Sequence, residues 1–262
     1  MFENKSIIIG VSGGIAAYKT AYLVSALSKT EADVNVIMTE NACEFISPLV
    51  FETLTGNKCY VDTFDRNFKF DVEHISLAKK ADIFMIAPAT ANVIAKIANG
   101  IADDMLTTTF LASKCKKIVS PAMNTAMFEN QITQDNISKL KKYGIGVVEP
   151  QNGLLACGDT GAGKMPEPDF LFDVIEREIA REKDMLGKKV LVTAGATMES
   201  LDPVRFLTNH SSGKMGFAIA KEAMLRGAEV TVVKANTTAK IPNFVKIVEV
   251  SSAKDMFDAV TA

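Results

Sequence analysis

The sequence predicts an α/β protein built on a doubly wound parallel sheet, and three patterns lead to this prediction. Short runs rich in isoleucine and valine are apolar on both faces, as strands buried inside a parallel sheet are. Segments of helical periodicity separate these runs, and turns rich in glycine, proline and asparagine follow several of them. Of the 262 residues, 48% are hydrophobic, which is enough apolar material for a sizeable core.

Strands and helices alternate along the first part of the chain. Strands are predicted over Ser6–Val11, Val34–Thr39, Asp82–Ala87, Lys117–Ser120 and Ile145–Glu149. Helices are predicted over Ile15–Lys29, Asn92–Ala98 and about Ala126–Tyr143. Strands that are separated by helices pair in parallel, with helices on both faces of the sheet.

The character of the sequence changes after Gly153. The segment Leu154–Asp169 holds three glycines and two prolines, which predicts a mobile loop or flap, and a helix follows from Asp169 to about Lys183. A new strand at Val190–Thr193, a helix at about Lys214–Arg226 and a strand at Glu229–Lys234 then predict the start of a second unit. We therefore expect one domain over residues 1–187 and an incomplete one over 188–262, in a truncated or cleaved chain that stops without a closing element.

Charge and composition exclude several classes of protein. The net charge is −2, so the chain has no basic excess that would attract nucleic acid or an anionic membrane. No signal peptide is recognisable, and polar residues interrupt the most hydrophobic stretch, Ile83–Ile101. The four cysteines are far apart and show no metal-ligand spacing. These patterns predict a soluble cytoplasmic protein without a metal site.

A glycine turn lies between the first predicted strand and helix. Ser12, Gly13 and Gly14 there allow backbone N–H groups to approach a phosphate at a helix N-terminus. The segment is neither a complete dinucleotide fingerprint nor a Walker loop, because the third glycine and the lysine are missing. A phosphate site and an ordinary tight turn therefore both remain possible from this motif alone.

Two further segments follow strands at the same edge of the predicted sheet. Thr90, Ala91 and Asn92 come after the third strand, and Asn124 comes after the fourth. Ligands bind at this edge in open α/β sheets, and these side chains can donate hydrogen bonds to a ring or a carboxylate. Helix N-caps use the same residue types, so capping is an equal alternative for each segment.

Two side chains could take part directly in catalysis. His74 lies between predicted elements, although a lone histidine is more often structural. Cys157 lies in the glycine-rich flap, where a closing lid would place a thiol. We interpret Met123, Met127 and Phe128, which share a predicted helical face, as core packing.

Four motifs in this order and spacing resemble the homo-oligomeric flavin-containing cysteine decarboxylases. They are GVSGGIAAYK, PATANVIAKIANGIADD, PAMNTAM and LLACGDTGAGKM. The resemblance is strongest to the decarboxylase half of the bifunctional phosphopantothenoylcysteine decarboxylase/phosphopantothenate–cysteine ligases of coenzyme A synthesis. It covers residues 5–186 and continues into a segment similar to the start of the ligase half. The implied fold is a Rossmann-like flavoprotein followed by the start of a second Rossmann-like domain.

The resemblance implies a role for each motif. Residues that match FMN-contacting positions are Ser12, Gly13, Gly14, Thr39, Thr90, Ala91 and Asn92. His74 matches the active-site histidine, Asn124 the asparagine of the PxMN motif and Cys157 the cysteine of the substrate flap. Phe128 and Lys164 depart from the family pattern, which usually has tryptophan and arginine there. Both departures could weaken substrate contacts, since an N–H donor and a planar bidentate donor are lost.

The implied reaction is the decarboxylation of 4′-phosphopantothenoylcysteine to 4′-phosphopantetheine, which makes the protein a carboxy-lyase. The substrate is oxidised to a thioaldehyde at the expense of FMN, loses CO₂ to give an ene-thiolate, and is reduced again. His74 would help to deprotonate the thiol, Asn124 would hold the carboxylate and Cys157 would donate a proton. Trimers that assemble into dodecamers are also implied.

The ligase half would use CTP and Mg²⁺ if it were complete. Asn209 matches the loop that binds the reaction intermediate, and Arg205 lies nearby. We expect this half to be inactive here. Two rival functions remain: a decarboxylase of C-terminal cysteine in peptides, which would not need a fused ligase segment, and a flavin-binding regulatory subunit, which could dispense with His74, Asn124 or Cys157.

Overall fold

The computed structural model describes residues 2–63, 73–154, 158 and 160–262. The chain divides into two compact units, Met1–Ile175 and Glu176–Ala262. The sequence places its boundary near residue 187, beyond the helix that spans this division, and that boundary stays a prediction. Each unit is described by itself below.

A six-stranded parallel sheet forms the centre of the first unit, in the order β3-β2-β1-β4-β5-β6. Its strands are β1 (Ser6–Val11), β2 (Asp33–Met38), β3 (Cys59–Tyr60), β4 (Ile83–Ala89), β5 (Lys116–Pro121) and β6 (Gly146–Val147). Every residue of β1 and β4 is buried, as their apolar sequences predict. The strand order reverses between β1 and β4, which is where open α/β sheets bind ligands. The predicted doubly wound sheet is thus confirmed.

Helices cover this sheet. They are α1 (Ala17–Ser28), α2 (Glu40–Cys43), α3 (Pro48–Thr55), α4 (Glu73–Lys80), α5 (Ala91–Ala98), α6 (Met105–Ala112), α7 (Thr125–Glu129), α8 (Gln131–Lys142) and α9 (Pro168–Ile179). Side chains of α5, α6 and α8 pack with β4 and β5 around Phe84 and Phe110 in one buried cluster. Four of these helices, α2, α3, α4 and α6, and the short strand β3 are not among the elements predicted from the sequence.

Two predicted elements differ from the structure by more than a shift of their ends. The helix expected over 126–143 is two helices, because Asn130 takes an extended conformation between α7 and α8. The Asn130 Oδ1 accepts a 2.9 Å hydrogen bond from the Ile132 N–H and so begins a new helix. The strand expected over 145–149 contains only Gly146 and Val147, at the edge of the sheet.

The glycine-rich segment contains the strand β8 (Thr160–Lys164), which pairs antiparallel with β7 (Gln151–Leu154) just before it. Residues 160–164 are thus a strand where a mobile loop or flap was expected. Glycine is needed in β8 for close packing. A Cβ at Gly161 would lie 2.6 Å from the Thr125 Oγ1, and one at Gly163 would collide with the Met123 carbonyl oxygen. The strand β8 is therefore packed against the segment that leads into α7.

The second unit contains a three-stranded parallel sheet in the order β13-β12-β9. Its elements are β9 (Lys189–Ala194), β10 (Met198–Ser200), β11 (Phe206–Thr208), α10 (Lys214–Leu225), β12 (Glu229–Lys234), β13 (Lys246–Glu249) and α11 (Ala253–Thr261). The predicted strand–helix–strand start of a second α/β unit is confirmed. A helix that was not predicted, α11, follows β13, and Ser252 and Asp255 form the capping box that begins it.

Within the described ranges, no helix combines the length and the apolar character that a membrane crossing requires.

Candidate active site

A cavity of about 870 Å³ opens at the carboxyl ends of the strands of the large sheet. The segments after β1, β2, β4 and β5 contribute to its lining, together with parts of β7, β8 and the residue after β8. It therefore lies at the position where the strand order reverses, as expected for a ligand site in this type of sheet. The cavity contains every predicted cofactor residue: Ser12, Gly13, Gly14, Thr39, Thr90, Ala91 and Asn92.

Ser12 joins two of these segments. Its Oγ donates a 2.7 Å hydrogen bond to the Pro88 carbonyl and accepts a 3.0 Å hydrogen bond from the Thr90 N–H. The residue is 1% exposed, and its hydroxyl proton is used within the protein. Ser12 therefore fixes the geometry of the segments after β1 and β4, and its hydroxyl has no second proton to give a ligand.

Gly13 and Gly14 are suited to glycine for different structural reasons. A Cβ at Gly13 would lie 2.7 Å from the Cβ of Asn41 and 2.9 Å from its backbone, so packing alone requires glycine there. A Cβ at Gly14 would meet only the Thr90 Cγ2 at 3.7 Å, an ordinary contact. Since Gly14 also lines the cavity, a side chain there would occupy space that a ligand could use.

Thr39, Thr90 and Asn124 each act as an N-cap while lining the cavity. Thr39 Oγ1 accepts from the Ala42 N–H at 3.2 Å, and Asn124 Oδ1 accepts from the Ala126 N–H at 2.8 Å. The capping and ligand-binding alternatives are therefore compatible. A cap uses the oxygen of Asn124, whereas recognition of a carboxylate would use its amide nitrogen.

Three lysines line the cavity: Lys19, Lys96 and Lys164. Of these, only Lys164 was singled out from the sequence, as a departure from the family pattern. Lys96 forms ion pairs with Asp103 at 2.7 Å and with Asp104 at 3.1 Å. The hydrogen bond that Lys96 donates to Asp103 is the main cause that raises the Lys96 pKa. Lys19 is buried on the apolar face of α1, and a lysine among the apolar positions of an amphipathic helix is the signal that could have identified it.

The interpretation of the methionines as core packing is wrong for Met127. This side chain is 50% exposed and lines the cavity, because α7 is short and presents it to the open side. Phe128 does pack against the buried cluster. Met123 packs there too, but it precedes α7 and also lines the cavity, so the three residues do not share one helical face.

The structure does not place His74, a predicted catalytic residue, beside this cavity. His74 lies in the first turn of α4 and is partly exposed, and it is absent from the described residues that line the cavity. Cys157 lies outside the described residues. Asn124 is therefore the one predicted catalytic residue that the described chain brings together with the predicted cofactor residues.

Asn209 and Arg205 belong to the second unit. The Arg205 Nε donates a 2.6 Å hydrogen bond to Asp202, whose pKa is lowered mainly by the backbone N–H of Arg205. The Asn209 Oδ1 accepts a 2.8 Å hydrogen bond from the Ser211 N–H. Both residues are exposed in the segments around β11, so their side chains are accessible to solvent.

Two protein families match this chain. Residues 1–180 match the flavoprotein family, and residues 185–262 match the DNA/pantothenate metabolism flavoprotein C-terminal domain. A coenzyme A biosynthesis bifunctional protein CoaBC from Bacillus subtilis is 45% identical over 99% of this chain and 65% of its own length. The protein of the same name from Haemophilus influenzae is 42% identical over 98% of this chain and 64% of its own length. The chain thus spans slightly less than two thirds of these relatives.

Solved structures are similar to the first unit. A cysteine-to-serine variant of PPC decarboxylase, complexed with pantothenoylaminoethenethiol, is 30% identical with a TM-score of 0.59, over 65% of this chain and 96% of that one. The FMN-dependent cysteine decarboxylase SpaF is 31% identical with a TM-score of 0.56, over 63% of this chain and 92% of that one. The FMN binding protein AtHal3 is 30% identical with a TM-score of 0.58, over 66% of this chain and 95% of that one. The chain belongs to the flavoprotein family.

Proposed function

We propose that this protein decarboxylates 4′-phosphopantothenoylcysteine to 4′-phosphopantetheine with FMN as cofactor, as a carboxy-lyase of coenzyme A biosynthesis. The observation that carries the proposal is the shared cavity, in which Asn124 lies with all seven predicted cofactor residues. The names of the CoaBC relatives and of the PPC decarboxylase structure support the choice of substrate.

The residues present fit FMN. Gly14 leaves room beside Thr90 that a Cβ would fill, and the segments after β1 and β4 are held in register through Ser12. Backbone N–H groups of a glycine turn before a helix are suited to a phosphate. The positions that would hold the group are Ser12, Gly13, Gly14, Thr39, Thr90, Ala91 and Asn92. FMN, when bound, supplies the reversible oxidation that makes the substrate carboxylate labile.

Asn124 would hold the carboxylate of the substrate through its amide. Its oxygen accepts the hydrogen bond that caps α7. The oxygen and the nitrogen would therefore have separate functions, with the oxygen capping the helix and the nitrogen binding the carboxylate. A neutral donor suits a carboxylate that must leave as CO₂, because a cation would stabilise the ground state and oppose the loss of charge. We assign carboxylate binding to Asn124 because its amide is a neutral donor.

His74 and Cys157 would handle protons. His74 would take the proton of the substrate thiol on a ring nitrogen, as a general base. Cys157 would donate the proton that completes the saturated product. The PPC decarboxylase structure with an ethenethiol ligand is a cysteine-to-serine variant, which supports a cysteine that acts after decarboxylation.

A homo-oligomer would complete the site, and we propose trimers or larger assemblies of trimers. Exposed apolar side chains cluster on α1 and around α3: Ile15, Tyr18, Tyr22, Phe45 and Leu49. Ile15 and Tyr18 also line the cavity, so this surface is continuous with its rim. A second copy packed there could bring its own His74 to the cavity. Sedimentation analysis of Tyr22→Glu tests this, because the charge would dissociate an assembly that uses this surface.

Residues 185–262 support the coenzyme A assignment over the rival one. SpaF, named as a cysteine decarboxylase, and EpiD, named as a peptidyl-cysteine decarboxylase, are also similar in structure. Decarboxylation of peptides gives no reason for a fused pantothenate-metabolism domain, which this chain carries in part. Ligation of 4′-phosphopantothenate to cysteine with CTP and Mg²⁺, through Asn209 and Arg205, belongs to a complete second domain. A cytoplasmic location stays a prediction.

A substrate comparison tests the proposal. The purified protein is loaded with FMN, confirmed by its absorption spectrum, and incubated separately with 4′-phosphopantothenoylcysteine and with a peptide that ends in cysteine. We expect CO₂ release from the first substrate at a much higher kcat/KM. Preference for the peptide would favour the rival enzyme. FMN binding without turnover of either substrate would favour a regulatory flavoprotein.

A further inference from the structure

The ammonium group of Lys19 is buried in the wall of the cavity. The side chain is 9% exposed, and its Nζ donates hydrogen bonds to the Met165 carbonyl at 3.1 Å and to the Glu167 Oε1 at 2.8 Å. A buried charge is retained at acceptable cost only when it is paired and hydrogen-bonded. Both partners of Lys19 belong to the chain that leaves β8, although α1 lies more than a hundred residues earlier in sequence.

The opposite side of the same segment is held by the residues after β5. The Met123 N–H donates a 3.1 Å hydrogen bond to the Gly163 carbonyl, and Gly163 packs against Met123 without space for a Cβ. Gly163, Lys164 and Met165 all line the cavity. One short stretch of wall is therefore held from two sides, by the PxMN segment and by α1.

Glu167 also faces a second lysine. Lys164 Nζ lies 3.7 Å from the Oε1 of Glu167 that accepts from Lys19. Lys164 is considerably more exposed than Lys19, and its longer distance makes it the weaker partner. Lys19 is thus the principal partner of Glu167 and the better candidate for holding the wall in place.

We propose that Lys19 and Glu167 form a latch that positions Gly163–Met165 as a wall of the substrate cavity, which makes Lys19 a positioning residue for the reaction. The latch acts through the backbone of Met165 and does not require Lys19 to touch the substrate. Its link to substrate affinity rests on the proposed function, whereas its effect on the wall does not.

The proposal predicts a local effect when the latch is broken. Lys19→Met removes the charge but keeps a long apolar side chain, and Glu167→Gln keeps an acceptor but removes the ion pair. Glu167 is half-exposed, so its variant should fold normally. Lys29→Met, at the exposed end of α1, makes the same chemical change without this contact and serves as control. The double variant Lys19→Met/Glu167→Gln should be no worse than Lys19→Met alone, because both changes remove one interaction.

Hydrogen exchange of the full chain without substrate is the first measurement. We expect the amides of 160–167 to exchange about tenfold faster in Lys19→Met and in Glu167→Gln, with β1 and β4 unchanged. Unchanged exchange at 160–167, or equal loss of protection in β1 and β4, would overturn the latch. This result holds whether or not the protein is a decarboxylase.

Steady-state kinetics is the second measurement. We expect KM for 4′-phosphopantothenoylcysteine to rise about tenfold with kcat changed much less, as for a lost positioning contact. Lys29→Met should match the unmodified protein in both measurements. If exchange accelerates but KM does not change, the latch does not position the substrate wall and the proposal is wrong. Absence of turnover in the unmodified protein contradicts the proposed function instead, and hydrogen exchange still decides the latch.

Discussion

The backbone N–H of Thr90 donates a 3.0 Å hydrogen bond to the buried Oγ of Ser12, and this contact joins residues that lie 78 positions apart. The same Oγ donates to the Pro88 carbonyl. The two segments that would hold the cofactor are therefore fixed to each other before any ligand arrives. The Ser12 N–H also donates to the Pro88 carbonyl at 3.3 Å, and the hydroxyl adds two further hydrogen bonds that are made within the protein.

Ser12→Ala should weaken both folding and flavin binding. The change leaves the Thr90 N–H without its acceptor and the Pro88 carbonyl without this donor, which costs about 1–3 kcal/mol of unfolding free energy. Ser28→Ala is the matched control, because the Ser28 Oγ is buried and has no hydrogen-bond partner among the described residues. Urea unfolding and FMN titration check both variants. Equal effects of Ser12→Ala and Ser28→Ala would contradict the joining role.

Gly13 and Gly14 should respond differently to alanine. Gly13→Ala forces a Cβ into Asn41 and should destabilise the protein by about 1–3 kcal/mol. Gly14→Ala meets only an ordinary contact, so the melting temperature without cofactor should stay unchanged while FMN affinity falls. Thermal melts and fluorescence titration with FMN test the pair. Normal FMN affinity in Gly14→Ala would show that the cofactor does not approach this position.

Asn124→Asp separates capping from catalysis. Aspartate keeps the acceptor for the Ala126 N–H, so stability should change by less than about 0.5 kcal/mol. It loses the amide donor and adds a negative charge beside the substrate carboxylate, so decarboxylation should fall at least about hundredfold. Asn130→Asp, which caps α8 with the same geometry, should leave activity intact. An active, stable Asn124→Asp would contradict the carboxylate-binding role.

The ion pair of Glu167 should stabilise the fold in a pH-dependent way. The hydrogen bond from Lys19 is the main cause that lowers the Glu167 pKa below its usual value of 4.5. A lowered carboxyl pKa contributes stability that is complete above the unfolded-state pKa and is lost as pH falls through the folded-state pKa. The melting-temperature difference between the unmodified protein and Glu167→Gln should therefore be largest at neutral pH and shrink below about pH 4.5. A difference that grows on acidification would contradict the pair.

Periodicity and composition predicted the sheet well because β1 and β4 are buried throughout. A strand that is buried on both faces must be apolar along its whole length, and that pattern is visible in the sequence. The helix break at Asn130 was missed, because an asparagine in an otherwise periodic segment is compatible with a continuous helix. The capping function of Asn130 becomes visible only when the chain turns there. Similarly, β7 and β8 have few apolar residues and depend on pairing with each other, which a local pattern does not report.

The residues of the candidate site that belong to recognisable sequence motifs could be predicted. All seven cofactor positions and Asn124 line one cavity, because strands in parallel bring their carboxyl ends to the same edge. The burial of Lys19 could be predicted from its place among apolar positions of α1, but its contacts could not, because Met165 and Glu167 are distant in sequence. His74 was predicted at the site, but it is not among the described residues that line this cavity. Under the proposed assembly, the His74 at the cavity would come from a second copy of the chain.

The most direct test of the central claim is product analysis with Cys157→Ser. The unmodified, FMN-loaded protein and the variant are each incubated with 4′-phosphopantothenoylcysteine, and the products are identified by mass spectrometry. We expect 4′-phosphopantetheine from the unmodified protein. The variant should accumulate the unsaturated ene-thiol, because a serine hydroxyl is too weak an acid to replace the thiol as proton donor. Unchanged substrate in the unmodified protein, or saturated product from Cys157→Ser at the normal rate, would contradict the account.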